Sequence, residues 1–112
     1  MALHMKNIRD IAVISVPGPR LDANNSKEFK SVVAETLRGY HRVLFDMSQL
    51  NFVDSSGLGA LVSCLRQVNA AGGDLKLCGM TKPVRTLFEL VRMHRVFDIR
   101  NTEEEALQAF QQ

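Results

Sequence analysis

The sequence predicts a single α/β domain, spanning residues 1–112, with a mixed sheet of four to five strands and about four helices. Segments of strand-like composition alternate with segments whose apolar residues recur three and four positions apart. Residues 42–47 are almost continuously apolar, which is typical of a strand covered on both faces. The chain has 112 residues, 46% of them hydrophobic and 23% charged, so one domain can bury an ordinary core.

The N-terminal third is expected to begin with two strands. Residues 11–16 are rich in β-branched side chains and end at Pro17-Gly18-Pro19. A shorter strand over residues 3–8 would pair with them across a turn at Arg9-Asp10.

A first helix is expected to follow these strands. Asn25 precedes Glu28 by three residues, which resembles a capping box, and Gly39 is a plausible stop. The apolar face of this helix consists of Phe29, Val32, Val33 and Leu37.

The middle of the chain predicts a strand over residues 42–47, a connection over 48–53 with apolar anchors, and a second helix. This helix begins near Ser55 or Ser56 and ends at Gly72-Gly73. Its apolar face consists of Leu58, Leu61, Val62, Leu65 and Val68.

The C-terminal part repeats the alternation. A strand containing Leu75, Leu77 and Cys78 precedes a helix that begins near Thr81-Lys82-Pro83, and a short strand over 96–99 follows. The apolar face of the third helix consists of Val84, Leu87, Phe88 and Val91. A capping box, Thr102 with Glu105, predicts a last helix that carries Leu107 and Phe110. The later strands are expected to run largely parallel.

Composition disfavours several functional classes. The net charge is +2 with scattered basic residues, one Tyr and no Trp, so we expect no nucleic-acid partner. No apolar run is long enough to span a bilayer, and no signal peptide is visible, so we expect a cytoplasmic protein without direct membrane insertion. Cys64 and Cys78 are expected to be core residues, not a disulfide or a metal site.

The sequence also gives little support for an enzyme. It contains neither a Gly-x-Ser-x-Gly elbow nor a Walker A loop, and its three histidines fall outside recognisable catalytic or metal-binding patterns. We therefore expect no catalytic residue, no cofactor and no metal.

The run Asp54-Ser55-Ser56-Gly57-Leu58-Gly59 joins the connection to the second helix. A helix N-terminus presents free N–H groups and the positive end of the dipole, so it favours an anion. Two interpretations are open: one of the first three residues is simply the N-cap, or one serine receives a phosphate. Residues 22–25 follow an earlier strand, and loops at the carboxyl ends of parallel strands meet at one edge. The two polar loops would then form one patch.

These residues resemble a known family. The stretch from Leu44 to Leu61, with its Asp-Ser-Ser-Gly-Leu-Gly core, is similar to the signature of STAS domains, which include the bacterial anti-sigma factor antagonists. Residues 20–23, 71–77, 84–90 and 96–97 extend the resemblance over nearly the whole chain. In one departure, residues 18–22 carry one residue more than the Gly-x-Leu-Asp of the family, which would displace the first loop.

The resemblance implies a switch operated by phosphorylation. The unphosphorylated protein would bind an anti-sigma factor that is also a serine kinase, and would so free a sigma factor. The kinase would phosphorylate Ser55, and a serine phosphatase of the metal-dependent type would reverse this. Asp54 would orient the turn, and Ser56 would cap or support the helix. The partner-binding residues would be Asp22, Asn24, Asp54, Ser56, Gly57, Leu58 and Gly59, with the glycines allowing close approach and Leu58 either packing inward or anchoring the contact.

Two other functional classes remain open at this point. The first is a STAS scaffold subunit of a lipid or anion transport assembly, which would act without phosphorylation. The second is a nucleotide-binding or hydrolytic module.

Overall fold

The computed structural model describes residues 1–111, which build a mixed five-stranded sheet and a separate two-stranded ladder. The strands are β1 (His4–Ile8), β2 (Ile11–Ser15), β3 (Arg20–Leu21), β4 (Arg42–Asp46), β5 (Phe52–Val53), β6 (Asp74–Cys78) and β7 (Asp98–Arg100). The large sheet has the order β1-β2-β4-β6-β7; β1 is antiparallel to β2, and the other neighbours are parallel. The small ladder pairs β3 with β5 in parallel.

The helices of residues 1–111 are α1 (Ser26–Thr36), α2 (Ser55–Ala70), α3 (Lys82–Leu90) and α4 (Glu103–Ala109), and a short 3-10 helix spans Met93–Arg95. Residues of α1, α2 and α3 pack on one face of the sheet, and α4 packs on the other. The α/β class, the mixed sheet and the predicted set of helices are confirmed.

The predicted β1–β2 hairpin is also confirmed. Ile8 pairs with Ile11, so the loop contains only Arg9 and Asp10, with φ of 49° and 64°. Two consecutive left-handed residues form the kind of tight turn whose twist matches that of the paired strands.

The packing of strand β4 explains why its sequence is so apolar. Val43 and Phe45 face the larger core cluster with α1, α2 and α3, whereas Leu44 faces the smaller cluster under α4. Phe45 meets Phe29 of α1 edge-on, with ring centres 5.9 Å apart. The strand is therefore covered on both faces, as the sequence predicts.

The predicted cap of α1 is wrong. The Asn25 side chain makes no capping bond; its Oδ1 accepts from the Asp22 N–H at 2.9 Å, and its Nδ2 donates to the Arg20 carbonyl at 2.8 Å. Asn25 therefore stabilises the turn before the helix. The helix ends at Thr36, and Gly39, with φ of 84°, lies in the following turn.

Two boundaries near α3 also differ from the prediction. Val91 lies beyond the end of α3 and is exposed, although its spacing suggested a place on the apolar face. The following strand begins at Asp98, so Val96 precedes it. Both shifts follow from Arg92, whose left-handed backbone (φ 62°) ends the helix and leads into the 3-10 turn. The strand predicted over 42–47 ends one residue early, at Asp46.

Candidate functional site

The two-stranded ladder of β3 and β5 joins the two polar loops. Leu21 pairs with Val53, and the Asp54 N–H donates to the Leu21 carbonyl at 3.3 Å. This ladder was missed in the sequence, where residues 48–53 look like a simple connection. The sequence gives little sign of this ladder, because Leu21 stands among polar residues whereas Val53 follows Phe52, and the structure is needed to show that Leu21 and Val53 are both buried. The ladder brings residues 22–25 beside residues 54–59, which we name together the Ser55 edge.

Asp54 holds the Ser55 edge together. Its Oδ1 accepts from the Gly57 N–H at 2.9 Å and so caps α2, whereas its Oδ2 accepts from the Ala23 N–H at 3.1 Å. One carboxylate thus fixes both the helix start and the neighbouring loop. The hydrogen bond from the Gly57 N–H is the main cause that lowers the pKa of Asp54 below its usual value. Asp54 is therefore a fixed negative charge at neutral pH.

The two serines are the first residues of α2, and both are exposed. Because Asp54 supplies the N-cap, neither hydroxyl is needed for that role, and of the two roles expected for Ser56, capping or supporting the helix, the capping role is wrong. The Ser55 hydroxyl therefore stands at a helix N-terminus, directly beside an ionised carboxylate, without a role in starting the helix.

The three residues after the serines differ in their surroundings. Gly57 is buried against β3 and β5: a Cβ there would meet the Leu21 carbonyl oxygen and would lie 2.9 Å from Val53 Cγ1. Gly57 therefore supports the site from within and offers no approach to a partner, contrary to the expectation. Gly59 is exposed, and a Cβ there would have open space. Leu58 is half-buried and packs against the larger core cluster.

Asp22 shapes the other half of the edge. Its Oδ1 accepts from the Asn24 N–H at 3.0 Å, and its Oδ2 accepts from Arg20 Nε at 3.2 Å. The side chain is 13% exposed, so Arg20 partly neutralises a carboxylate that has limited access to solvent. The guanidinium of Arg20 also lies 4.1 Å from the centre of the Phe52 ring. Asn24 is exposed.

The segment with the additional residue is anchored on the connection before β5. The Pro19 carbonyl accepts from the N–H groups of Asn51 and Phe52, at 2.8 and 3.2 Å. Gly18 lies against the Gln49 backbone, where a Cβ would clash with the Gln49 carbonyl oxygen. Residues 18–20 are thus held against the connection before β5, upstream of the contact between Ala23 and Asp54.

Three further observations concern metal ligands, membrane-spanning helices and the two cysteines. Within residues 1–111, His, Cys, Asp and Glu side chains form no group that could hold a metal ion. None of the helices in that range has the length and hydrophobicity needed to cross a membrane. Cys64 and Cys78 are free and buried, as expected, and burial raises the pKa of each thiol to about 12.

The family model and the similar sequences all indicate the same family. The STAS domain model matches residues 2–106. Two relatives carry names that assign them provisionally to the anti-sigma factor antagonists. The one from Bordetella bronchiseptica is 28% identical over 98% of this chain and 95% of its own. The one from Thermotoga neapolitana is 30% identical over 95% of each chain. The anti-sigma F factor antagonist of Paenibacillus polymyxa is 25% identical over 96% of this chain and 92% of its own.

Solved structures share the same fold. The crystal structure of a Thermotoga maritima protein, also assigned provisionally to the antagonists, matches with a TM-score of 0.90 and 24% identity, over 98% of this chain and 95% of that one. The antagonist SpoIIAA in its unphosphorylated form gives a TM-score of 0.71 at 22% identity, over 98% of both chains. Its phosphorylated form, from Bacillus, gives 0.70 at 22% identity, over 97% and 99%.

Proposed function

The chain belongs to the STAS domain family and, within it, to the anti-sigma factor antagonists, and we propose that it is an antagonist switched by phosphorylation of Ser55. In its unmodified form it binds an anti-sigma factor that is also a serine kinase, and the sigma factor held by that kinase is released. This function places the protein in the cytoplasm, with the kinase, its ATP and the sigma factor.

The position of Ser55 is the observation that supports this proposal most. The residue is exposed at the first position of α2, and Asp54 already satisfies the helix cap. A kinase can therefore modify the hydroxyl without removing an interaction that holds the fold. The protein supplies only the acceptor oxygen, whereas the nucleotide, the metal and the catalytic groups belong to the kinase.

The effect of the phosphate on the partner follows from charge. A phosphoserine adds about 1.5 to 2 negative charges at neutral pH. It would stand next to Asp54, whose two oxygens are held by N–H groups and cannot turn away. The N-terminus of α2 tolerates the phosphate because its dipole favours an anion. A partner packed on this surface, in contrast, must desolvate the added charge. Leaving such a charge poorly paired costs roughly 2–5 kcal/mol, or about 30- to 5,000-fold in affinity.

The contact surface proposed for the kinase is the exposed part of the Ser55 edge. It contains Asn24, Ser55, Ser56 and Gly59, together with the accessible parts of Asp22, Asp54 and Leu58. Gly57 lies beneath it. The same exposure lets a serine phosphatase of the metal-dependent type reach the phosphate and return the protein to its binding form. SpoIIAA, whose structure is known in both phosphorylation states, supports this cycle by family likeness.

The phosphorylation site is tested with matched serine variants. Wild type, Ser55→Ala and Ser56→Ala are incubated with the cognate kinase and ATP, and the phosphate is located by mass spectrometry. We expect Ser56→Ala to be modified like wild type and Ser55→Ala to remain unmodified. Full incorporation of phosphate into Ser55→Ala would refute the assignment.

The switch is tested by calorimetry with the kinase. Unmodified and phosphorylated protein are compared with Ser55→Asp, which carries one charge and fewer acceptor oxygens and should weaken binding only in part. Arg38→Glu is the control for added negative charge, because Arg38 lies outside the contact surface and its side chain is 79% exposed. Equal affinity of the unmodified and phosphorylated forms would contradict the switch. Circular dichroism shows whether a variant that has lost affinity is still folded.

A pull-down from native cells tests the alternative function. Recovery of a permease or an ABC ATPase in place of a kinase would favour the transport scaffold.

A further inference from the structure

A second surface, far from the Ser55 edge, combines exposed apolar side chains with positive charge. Leu90, Val91 and Val96 are 78%, 41% and 47% exposed, and they lie within seven consecutive residues. Scattered exposed apolar residues need no explanation, but a cluster of them marks an interaction site. We name residues 90–96 the α3 tip.

The charged residues of the α3 tip are two arginines. Arg92 and Arg95 are exposed beside His94, no Asp or Glu occurs between positions 90 and 96, and the exposed Glu89 directly precedes the tip, so the local formal charge remains positive. Apolar and basic side chains thus alternate over one short stretch. A partner that matches this surface needs apolar side chains flanked by carboxylates.

The backbone of the α3 tip is ordered by its own hydrogen bonds. Arg92 adopts the left-handed conformation, the Arg95 N–H donates to the Arg92 carbonyl at 3.2 Å, and the Val96 N–H donates to the Met93 carbonyl at 3.0 Å. The next residue, Phe97, is buried. The exposed side chains are therefore presented by a fixed turn anchored in the core, so little entropy is lost when a partner binds.

The α3 tip lies toward the opposite end of the sheet from the Ser55 edge. Helix α3 starts just after the carboxyl end of β6 and runs back along the sheet for nine residues, about 13 Å. The chain then enters β7 at Asp98, which pairs with Lys76 in the middle of the parallel strand β6. A kinase on the Ser55 edge would therefore leave the α3 tip open.

We propose that the α3 tip is a docking surface for a second protein partner, one that offers a segment of apolar side chains flanked by Asp and Glu, and that this contact is independent of Ser55 phosphorylation. Arg is enriched in the cores of protein interfaces and Lys is depleted there, and the tip contains two exposed Arg and no Lys. One molecule would then hold an acidic partner at one end while its other end binds or releases the kinase.

Two other occupants fit the surface less well. A lipid surface is usually met by several turns of amphipathic helix with aromatic anchors, whereas the tip is a single turn without Trp, Tyr or Phe. A second copy joined symmetrically through the same tip would place Arg92 and Arg95 against their own counterparts, which is repulsive.

The experiment uses a peptide of stated chemistry. Nitrogen-15-labelled protein is titrated with a synthetic peptide that alternates Glu-Glu and Leu-Leu pairs, and NMR shifts report the contact. A peptide with Lys-Lys in place of Glu-Glu is the control. We expect shifts at residues 90–96 with the acidic peptide only, equal in wild type and Ser55→Asp, and weaker binding at high salt.

Variants separate the apolar part from the charge. Leu90→Ser should weaken binding about tenfold, since the side chain is buried only by the partner. Arg95→Glu should weaken it about 5- to 30-fold. Arg38→Glu, which changes the net charge equally at a side chain that is 79% exposed, should not. The proposal is overturned if the acidic peptide causes no shifts at residues 90–96, if the two peptides bind equally, if phosphatidylserine vesicles shift the tip more than the acidic peptide does, or if the tip signals move with protein concentration alone.

Discussion

A methyl group at position 57 should separate the two halves of the Ser55 edge. In Gly57→Ala the added Cβ would meet the Leu21 carbonyl oxygen of β3 and would lie 2.9 Å from both the Leu21 carbonyl carbon and Val53 Cγ1. The obstructing atoms of Leu21 belong to the backbone and cannot move aside by changing a rotamer. Either β3 must shift away from α2, or the first turn of α2 must shift outward.

The size of the effect follows from two opposing terms. Overpacking by a methyl group costs about 3 kcal/mol where the neighbour is backbone, at the upper end of the usual range. Replacing Gly by Ala within a helix returns up to about 1 kcal/mol. We therefore expect Gly57→Ala to lose about 2 kcal/mol of unfolding free energy and about 8 °C in Tm.

Gly59→Ala is the matched control, because a Cβ there has no atom within 4 Å. It should gain stability by about 0.5 to 1 kcal/mol. Urea unfolding followed by circular dichroism measures both variants, and amide hydrogen exchange of Ala23 reports the bond to Asp54. If Gly57→Ala were as stable as Gly59→Ala, with the Ala23 amide still protected, the internal role of Gly57 would be refuted.

Other measurements test the cap, the thiols and the buried lysine. The hydrogen bond from the Gly57 N–H lowers the pKa of Asp54 in the folded state. The ionised carboxylate therefore stabilises the fold above about pH 4, and this stabilisation is lost as the pH falls through the lowered pKa. Urea titrations at pH 7 and pH 3 should show that wild type loses more unfolding free energy on acidification than Asp54→Asn does. The thiols of Cys64 and Cys78, with pKa values raised to about 12, should resist thiol reagents at pH 8 until urea unfolds the protein, and rapid labelling of the native state would contradict this. Lys76, 8% exposed, pairs with Asp98 at 2.7 Å and lies 4.9 Å from the Phe110 ring; because Arg100 still pairs with Asp98, Lys76→Ala should cost mainly the lost packing, about 1–2 kcal/mol, and Lys76→Met, which keeps the packing, should cost less, so equal losses in urea unfolding would count against this account.

The regular elements were predictable because their patterns are local. The apolar spacing in α2 and the continuous apolar run of β4 each depend on one face, or both faces, meeting the core. The ladder of β3 and β5 could not be read in this way, since each strand has two residues and exists through pairing with the other. Arg92 likewise ends α3 through a left-handed backbone that its residue type rarely adopts, so the apolar spacing extended falsely to Val91.

The same contrast between local and long-range features decides which parts of the candidate site were predictable. The sequence placed Ser55 at a helix start and the two polar loops at one edge, because helix boundaries and strand ends leave local signals. It did not identify Asp54 as the tie between the loops, since that role requires the Ala23 N–H, 31 residues away. It also misjudged Gly57: two glycines in one motif look alike, and only the packed structure distinguishes the buried one from the exposed one.

The division of roles between Asp54 and Ser55 explains how a switch can stand at a position that the fold also needs. A serine that capped α2 would lose its bond to the helix when modified, and phosphorylation would then disturb the helix itself. Here the carboxylate of Asp54 accepts from both the Gly57 and the Ala23 N–H groups, so the Ser55 hydroxyl is not needed as the helix cap. The same carboxylate is already ionised, and the phosphate therefore adds its charge to a surface that is negative before modification. In the proposed switch, the energetic cost of the phosphate would fall on a partner that must bury both groups, while the domain would keep its cap and its fold.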